Sequence, residues 1–385
     1  MYYLTLFIFI YQIEIMKIII SSNSSWNILN FRKNLINFFL KDKNKLLILS
    51  KKDFSFKNLK KLKVKFIEIP INRKSFSPFD DLRLILYFLK IFYFEKPDFF
   101  LGFTHKINIY GAFVANVLNI KSIINVTGLG TAFIKNTFFT KIVTLFYKIA
   151  LGKNNITLFQ NRDDRNFFIK KKLVKKKNSF LIPGSGIDLK KYSVVKNKKN
   201  KKNINFLFIG RLIKDKGIIE FINAAKEIKK NSKIKVTFSV IGFVDEKNRT
   251  SISYSEYLKF KNEKILNFLG HKNDIRKYLT NSDCVVLPSY REGLPRVLLE
   301  SSAMGIPAIT TNVPGCREVV TDKYNGFLCK AKSKKSLKKV MYKFLNLNYK
   351  KRLIMGQNSR KKAENYFNEK IVFEKYKKLM YQAKQ

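Results

Sequence analysis

Two carboxylates, Glu292 and Glu300, stand with seven residues between them in the stretch PSYREGLPRVLLESSAMGIPAIT (288–310), in a chain with only 27 Asp and Glu against 77 Lys and Arg. A strand, CVVLPS (284–289), runs into the loop YREGL, and Pro295 opens a helix, because its missing N–H would be unpaired there anyway. Glu292 then lies just before the helix and Glu300 about a turn and a half inside it, close enough to face one ligand. The backbone N–H groups of Gly293 and Leu294, at the positive end of the helix dipole, suit a phosphate or a hydroxyl. A carboxylate only accepts hydrogen bonds, and it can take two from neighbouring hydroxyls of a ribose or a hexose. A nucleotide bearing a sugar satisfies both glutamates and the helix start together.

A second group lies in FIGRLIKDKGIIEF (208–221), where a strand runs into Gly210 and a helix opens at about Lys216. Arg211 and Lys216 straddle the turn. A planar fork and a point charge at a strand end fit a diphosphate, and if it leaves, they stabilise the charge that develops. Two solvated surface cations would leave the same pattern in so lysine-rich a chain. His105, one of two histidines with His271, sits beyond a strand end and precedes Lys106; a switchable imidazole there suits chemistry, and a structural role is equally open. Gly128 and Gly130 form a Gly-x-Gly that lets backbone approach a ligand, or simply makes a tight turn. Metal sites are not expected: there is no Asp-x-Asp, no His/Asp cluster, and Cys284, Cys316 and Cys329 lack ligand spacing and read as reduced structural residues.

The elements that must position these residues alternate. Strands are expected at 17–22, 45–50, 64–69, 98–103, 121–126 and 156–161, with helices between most of them, as at 80–94 and 137–150. Each strand is a continuous apolar run, the mark of a parallel sheet buried on both faces. Composition breaks over LIPGSGIDLKKYSVVKNKKNKKN (181–203), a Pro, Gly and Lys/Asn stretch suited to a linker. The alternation then resumes, with strands at 205–210, 236–242, 265–270, 284–289, 307–311 and 326–330 and helices at 216–230, 274–281 and 295–304. From Ser336 onward the chain reads as basic amphipathic helices. The pattern is two α/β units in tandem, with ligands beyond the carboxyl ends of the strands and a cleft between the units.

Bulk properties bound the function. At 385 residues, 46% hydrophobic and 27% charged, the chain builds two ordinary domains. Its net charge of +50 invites nucleic acid as a partner, but the cations are scattered through nearly every segment. Asn, Ile and Phe are inflated alongside Lys, as compositional drift would produce, so no nucleic acid is expected. An anionic bilayer still attracts a lysine-rich face. The opening residues, MYYLTLFIFIYQIEI (1–15), are too short to span a bilayer and lack a basic leader and a cleavage site. They read as a mis-assigned start before Met16 or a membrane-contacting extension. The segment 132–153 mixes aromatics and lysines at helical spacing, fitting a membrane interface or a core helix with snorkelling lysines.

The motifs GRLIKDKG and LPSYREGLPRVLLESSAMGIPAI, with the Glu292–Glu300 spacing, resemble the retaining glycosyltransferases of family 4 densely over 204–328. THKINIYG (104–111) and NVTGLGTAFI (125–134) resemble a branch of bacterial transferases that add N-acetylhexosamines to polyprenyl-diphosphate-linked sugars. The resemblance implies a GT-B architecture, two facing Rossmann-like doubly wound domains. It divides the chain into an acceptor-side domain (1–190), a linker (191–203), a nucleotide-sugar domain (204–367) and a C-terminal helix (368–385) packing back toward the first domain. It implies that Arg211 and Lys216 hold the donor diphosphate, Glu300 the ribose, and Glu292 with Gly293 and Leu294 the donor sugar. His105 and Glu292 would be the catalytic pair, His271 would run past the base, and Gly128, Gly130 and Arg32 would face phosphate or acceptor. The glycine-rich loop of many relatives is replaced here by SSNSSWNILNFRKNL (21–35), where Ser and Asn can still make a close turn.

Transfer with retention, without a metal or other cofactor, from a nucleotide-sugar to a lipid-linked sugar follows from the same resemblance. So does a cytoplasmic protein peripheral on the inner face of the membrane. Rivals are a sugar-nucleotide epimerase of the same overall fold and, further off, a basic nucleic-acid-binding protein. Glu300 is expected to bury nothing, so that Glu300→Ala would cost transfer and leave the fold intact.

Overall fold

Runs of Ile, Leu, Val and Phe without polar alternation need cover on both faces, and the chain meets that need with two all-parallel sheets. The structure is a computed structural model that describes residues 15–72, 77–129, 138–151, 155–194 and 203–385. The first sheet contains β1 (Lys17–Ser21), β2 (Lys45–Ser50), β3 (Lys65–Glu68), β4 (Phe99–Gly102), β5 (Lys121–Val126), β6 (Ile156–Phe159) and β7 (Ser179–Leu181). It carries helices α1 (Ser25–Lys41), α2 (Phe56–Lys60), α3 (Pro78–Glu95), α4 (His105–Val117), α5 (Phe138–Leu151) and α6 (Arg162–Lys170). The second contains β8 (Asn203–Ile209), β9 (Lys235–Ile241), β10 (Asn267–Phe268), β11 (Cys284–Leu287), β12 (Ala308–Thr311) and β13 (Gly326–Cys329). Its helices are α7 (Ile218–Asn231), α8 (Tyr254–Asn262), α9 (Arg276–Thr280), α10 (Arg296–Ala303), α11 (Cys316–Val319), α12 (Lys334–Leu345) and α13 (Tyr349–Lys362). The last helix, α14 (Glu369–Lys384), follows a π-turn.

Strand orders are β3-β2-β1-β4-β5-β6-β7 and β10-β9-β8-β11-β12-β13, so each sheet reverses direction once, between β1 and β4 and between β8 and β11. A doubly wound sheet opens a crevice at that reversal, beyond the carboxyl ends of its strands. His105 follows β4, Arg211 follows β8 and Glu292 follows β11, so each lies at a crevice.

Alternate strand residues face opposite layers, as the period of two requires. Ile19, Phe100, Ile124 and Phe159 pack with Phe88, Ile107 and Tyr147 under α3, α4 and α5. Ile18, Ile20, Leu101 and Ile123 pack with Ile36 and Phe39 of α1 and with Val372, Tyr376 and Met380 of α14. The C-terminal helix thus completes the first domain's core. Tyr376 is fully buried, worth about 2–3 kcal/mol for such a side chain, and its hydroxyl donates to Asn125 Oδ1 at 2.5 Å.

The second sheet differs from the pattern reading in a helix, α8, that is not among those expected and in a strand, β10, of only two residues where 265–270 is expected. Two features differ in and beside the first sheet. The first sheet has a seventh strand, β7, which at three residues is too short to show a period. The start of the composition break is not free linker: Ile182, Ile187 and Tyr192 are buried, and Ile187 bridges to Asn368. Gly186, at φ +67°, is the hinge of that packing, since a Cβ there would lie 2.4 Å from the Cα of Glu369. Residues 1–14, Gly130, the ends of the 132–153 segment and most of the linker (195–202) lie outside the described residues.

Candidate active site

The crevice of the second domain is assembled by short connections. After β8, the chain makes a 3-10 turn over Lys214–Lys216, which lifts Lys216 toward the end of β11. After β11, Tyr290 N–H donates to the Asp215 carbonyl at 2.8 Å, locking the two loops together. Lys216 Nζ reaches Glu292 Oε1 at 2.5 Å with both side chains largely buried. Arg211 lies nearer solvent and pairs with Asp245 at 2.9 Å. An exposed pair of this kind is worth about 0–1 kcal/mol, so Arg211 can exchange Asp245 for another acceptor at little cost.

The helix after Glu292 starts one residue later than expected, with Pro295 as the N-cap and Arg296 as the first helical residue. Glu300 on this helix is 7% exposed and already bonded. It accepts from the Tyr192 hydroxyl at 2.9 Å and from Arg296 Nε at 3.0 Å. The expectation that Glu300 buries nothing is therefore corrected: it is a structural acceptor in this state. Arg296 extends the link across the domains, donating through Nη1 to the Asn30 carbonyl of α1 at 2.8 Å.

Gly293 lies where the two domains come close. A Cβ on it would lie 1.9 Å from the Thr127 carbonyl oxygen, next to Gly128. The Asn161 side-chain amide donates to the Gly293 carbonyl at 2.9 Å, and Arg291 pairs with Asp164, whose carboxylate is 1% exposed. Burial raises the pKa of Asp164 against the pull of Asn161 and Arg291. Cys316, behind Glu292, is a buried free thiol whose pKa is pushed up to about 12, chiefly by burial.

Of the expected residues, the structure brings Lys216, Glu292, Gly293 and Gly128 together, with Arg211, Leu294 and Glu300 on the same loops and helix. His105 is the first residue of α4, its Nδ1 2.8 Å from the Tyr147 hydroxyl, and burial lowers its pKa. Lys106 beside it pairs with Asp81 of α3 at 2.6 Å. His271 stands at the surface, edge-on to Phe243. Arg32 is 4% exposed, with its guanidinium 4.0 Å over the Phe103 ring and its Nε without a hydrogen-bond partner. Burial lowers its pKa to about 10.

Asn161, Asp164, Arg291, Arg296 and Tyr192 were not anticipated. Asn161 is expected as the end of the strand at 156–161; it is instead the N-cap of α6, with its Oδ1 accepting from Asp164 N–H. Nothing in a single chain marks such a cap as an interdomain contact.

The model of the family Glycosyl transferases group 1 matches residues 190–362. An N,N'-diacetylbacillosaminyl-diphospho-undecaprenol alpha-1,3-N-acetylgalactosaminyltransferase of Campylobacter jejuni subsp. jejuni serotype O:2 is 29% identical over 381 residues, covering 94% of this chain and 98% of the relative. A capsular polysaccharide biosynthesis glycosyltransferase of Staphylococcus aureus is 30% identical over 318 residues, covering 80% and 82% respectively. Among solved structures, Anabaena Alr3699/HepE in complex with UDP superposes with a TM-score of 0.77 at 16% identity, over 95% of this chain and all of that one. Its fold is thereby shared: two facing parallel-sheet α/β domains, GT-B.

Proposed function

The chain belongs to the group 1 glycosyltransferases, and on that premise we propose that it moves a hexose or N-acetylhexosamine, with retention, from a UDP-sugar to a polyprenyl-diphosphate-linked glycan. Undecaprenyl-diphosphate sugars in the name of the Campylobacter relative support the acceptor, and UDP in the Anabaena structure supports the donor. The epimerase reading has no such support. The observation that carries the proposal is the contact of Lys216 with Glu292 at the ends of β8 and β11, where Gly293 meets Thr127 and Gly128 of the facing domain. A phosphate-binding cation and a hydroxyl-binding carboxylate lie side by side where a sugar diphosphate would bend between the domains.

In this reading Arg211 and Lys216 neutralise the diphosphate and take up the charge that grows as the sugar–phosphate bond breaks. Glu292 turns from Lys216 to the sugar hydroxyls, and Gly293 and Leu294 offer backbone N–H groups to the same sugar. Glu300 holds the ribose, and His105 borders the acceptor. The leaving phosphate takes the acceptor's proton on the face that the new bond forms, so the protein's share is positioning and electrostatics, with no metal needed. We place the enzyme in the cytoplasm, peripheral on the inner face of the membrane, where a nucleotide-sugar and a lipid-linked glycan meet. No helix of the described residues is long and apolar enough to cross a membrane.

The test offers wild type and Lys216→Ala a panel of UDP- and GDP-sugars with a short-chain polyprenyl-diphosphate sugar. One UDP donor should extend the acceptor, and Lys216→Ala should lose about two to three orders of magnitude in rate. Epimerisation of a UDP-sugar without acceptor, or a GDP-sugar as the sole donor, would reject the reading.

A further inference from the structure

Helix α3 is apolar on the wrong side as well as the right one. Leu84, Phe88, Ile91 and Phe92 are buried against the sheet and α4, as an amphipathic helix requires. Yet Phe79 (78%), Leu82, Leu86, Tyr93 and Phe94 (72%) are exposed. At about 100° per residue Phe79, Leu82, Leu86 and Tyr93 fall in one outward arc of about 60°, with exposed Arg83 and Lys90 along its edge. The helices packed beside it also carry exposed apolar side chains, Val117 on α4 and Ile149 on α5. Single exposed apolar side chains need no explanation, whereas a contiguous patch marks an interaction surface.

We infer that the outer face of α3, α4 and α5 docks this protein onto an anionic lipid bilayer, with α3 lying in the headgroup boundary. Charge selects the occupant. Of the acids on α3, Asp81 pairs with Lys106, Glu95 pairs with Lys17 and Lys65, and Asp80 lies about 100° around the helix from Phe79, off the arc, so that Arg83 and Lys90 are the charges at its edge to meet anionic headgroups. A second copy of a chain carrying +50 would be repelled from the same face. Aromatic and aliphatic side chains with two cations at the rim match a helix that lies in an interface rather than one that crosses it. Docking would also bring the His105 end of α4, tied to α3 through Lys106 and Asp81, to the membrane from which a lipid-linked acceptor rises. The inference rests on the proposed acceptor for its purpose, and on the surface for its physics.

The experiment is co-sedimentation of the full chain with vesicles of phosphatidylglycerol and phosphatidylethanolamine, and of phosphatidylcholine alone. Wild type should bind the anionic vesicles. Leu82→Asp/Leu86→Asp/Tyr93→Asp should bind at least about tenfold less, while Phe7→Asp/Ile10→Asp in the leading residues retains binding. Arg83→Gln/Lys90→Gln, which cannot disturb the core, should lose roughly tenfold on anionic vesicles only. Retained binding in the α3 variants, or binding lost only in the leading-residue variant, overturns the inference. So does a dimer in sedimentation velocity that the α3 variant breaks while wild type ignores vesicles. Transfer to a short-chain acceptor without vesicles is measured in parallel: it fails in wild type only if the catalytic reading is wrong, and it ignores the α3 face.

Discussion

Gly293→Ala isolates the contact between the two domains from the chemistry of the donor site. Gly293 does not have a positive φ, so alanine fits its backbone, and the N–H proposed to meet the donor sugar is kept. What alanine adds is a Cβ 1.9 Å from the Thr127 carbonyl oxygen and 2.9 Å from Gln160 Oε1, where real Cβ atoms keep at least 3.0 Å. Gln160 can swing aside. The Thr127 carbonyl is main chain and cannot, so the domains must part there by about 1 Å. Parting strains the Asn161 bond to the Gly293 carbonyl, worth about 1 kcal/mol, and the Arg291–Asp164 pair, worth about 1–3 kcal/mol as a charge-assisted bond. The closed arrangement therefore loses about 2–4 kcal/mol, or roughly 30- to 1,000-fold in single-turnover transfer if closure precedes chemistry. UDP affinity, measured by calorimetry, should stay within about twofold, the range of a substitution that removes no ligand contact. Small-angle scattering should show a larger radius of gyration. A variant that transfers at the wild-type rate with unchanged dimensions would show that the apposition of Gly293 and Thr127 is not the reactive arrangement.

Glu300→Ala should cost stability as well as transfer, about 1–3 kcal/mol in unfolding free energy, because the Tyr192 hydroxyl and Arg296 lose a shared buried acceptor. Tyr192→Phe should cost about 1 kcal/mol and keep most activity; equal thermal midpoints for wild type and Glu300→Ala would refute this. Acid stability should report on His105: its ring is harder to protonate folded than unfolded, so acid favours the unfolded chain. Stability is then full above about pH 6.5 and falls below it, by at most about 1.4 kcal/mol per pH unit. Urea midpoints from pH 8 to pH 5 should lose that slope in His105→Gln and keep it in His271→Gln; the reverse result would transfer the effect to the surface histidine.

The doubly wound architecture was legible because strands buried on both faces are written as unbroken apolar runs, and Lys45–Ser50 or Cys284–Leu287 admit little else. The loops of the proposed donor site were legible for another reason: a carboxylate, a glycine and a helix start adjoin in sequence at Glu292, Gly293 and Pro295, so local spacing already carries their geometry. Partners from afar were not legible. Tyr192 lies 108 residues from Glu300 and Asn161 lies 132 from Gly293, separations across which no periodicity reaches. Arg32 shows the converse limit: its type suits phosphate, but α1 turns it inward over Phe103, and only the packing of α14 on α1 reveals that.

That packing has a consequence for how the protein is made. Met16, Ile28, Ile36 and Phe39 share a core with Tyr376, Leu379 and Met380, which follow the whole second domain in the chain. Domains usually fold in the order in which they leave the ribosome. Here the first half emerges with one layer of its sheet covered only in part, by α1 and α2, and waits through the synthesis of the whole second domain for the rest. Removal of α14 would therefore expose apolar surface on the half of the molecule that is made earlier.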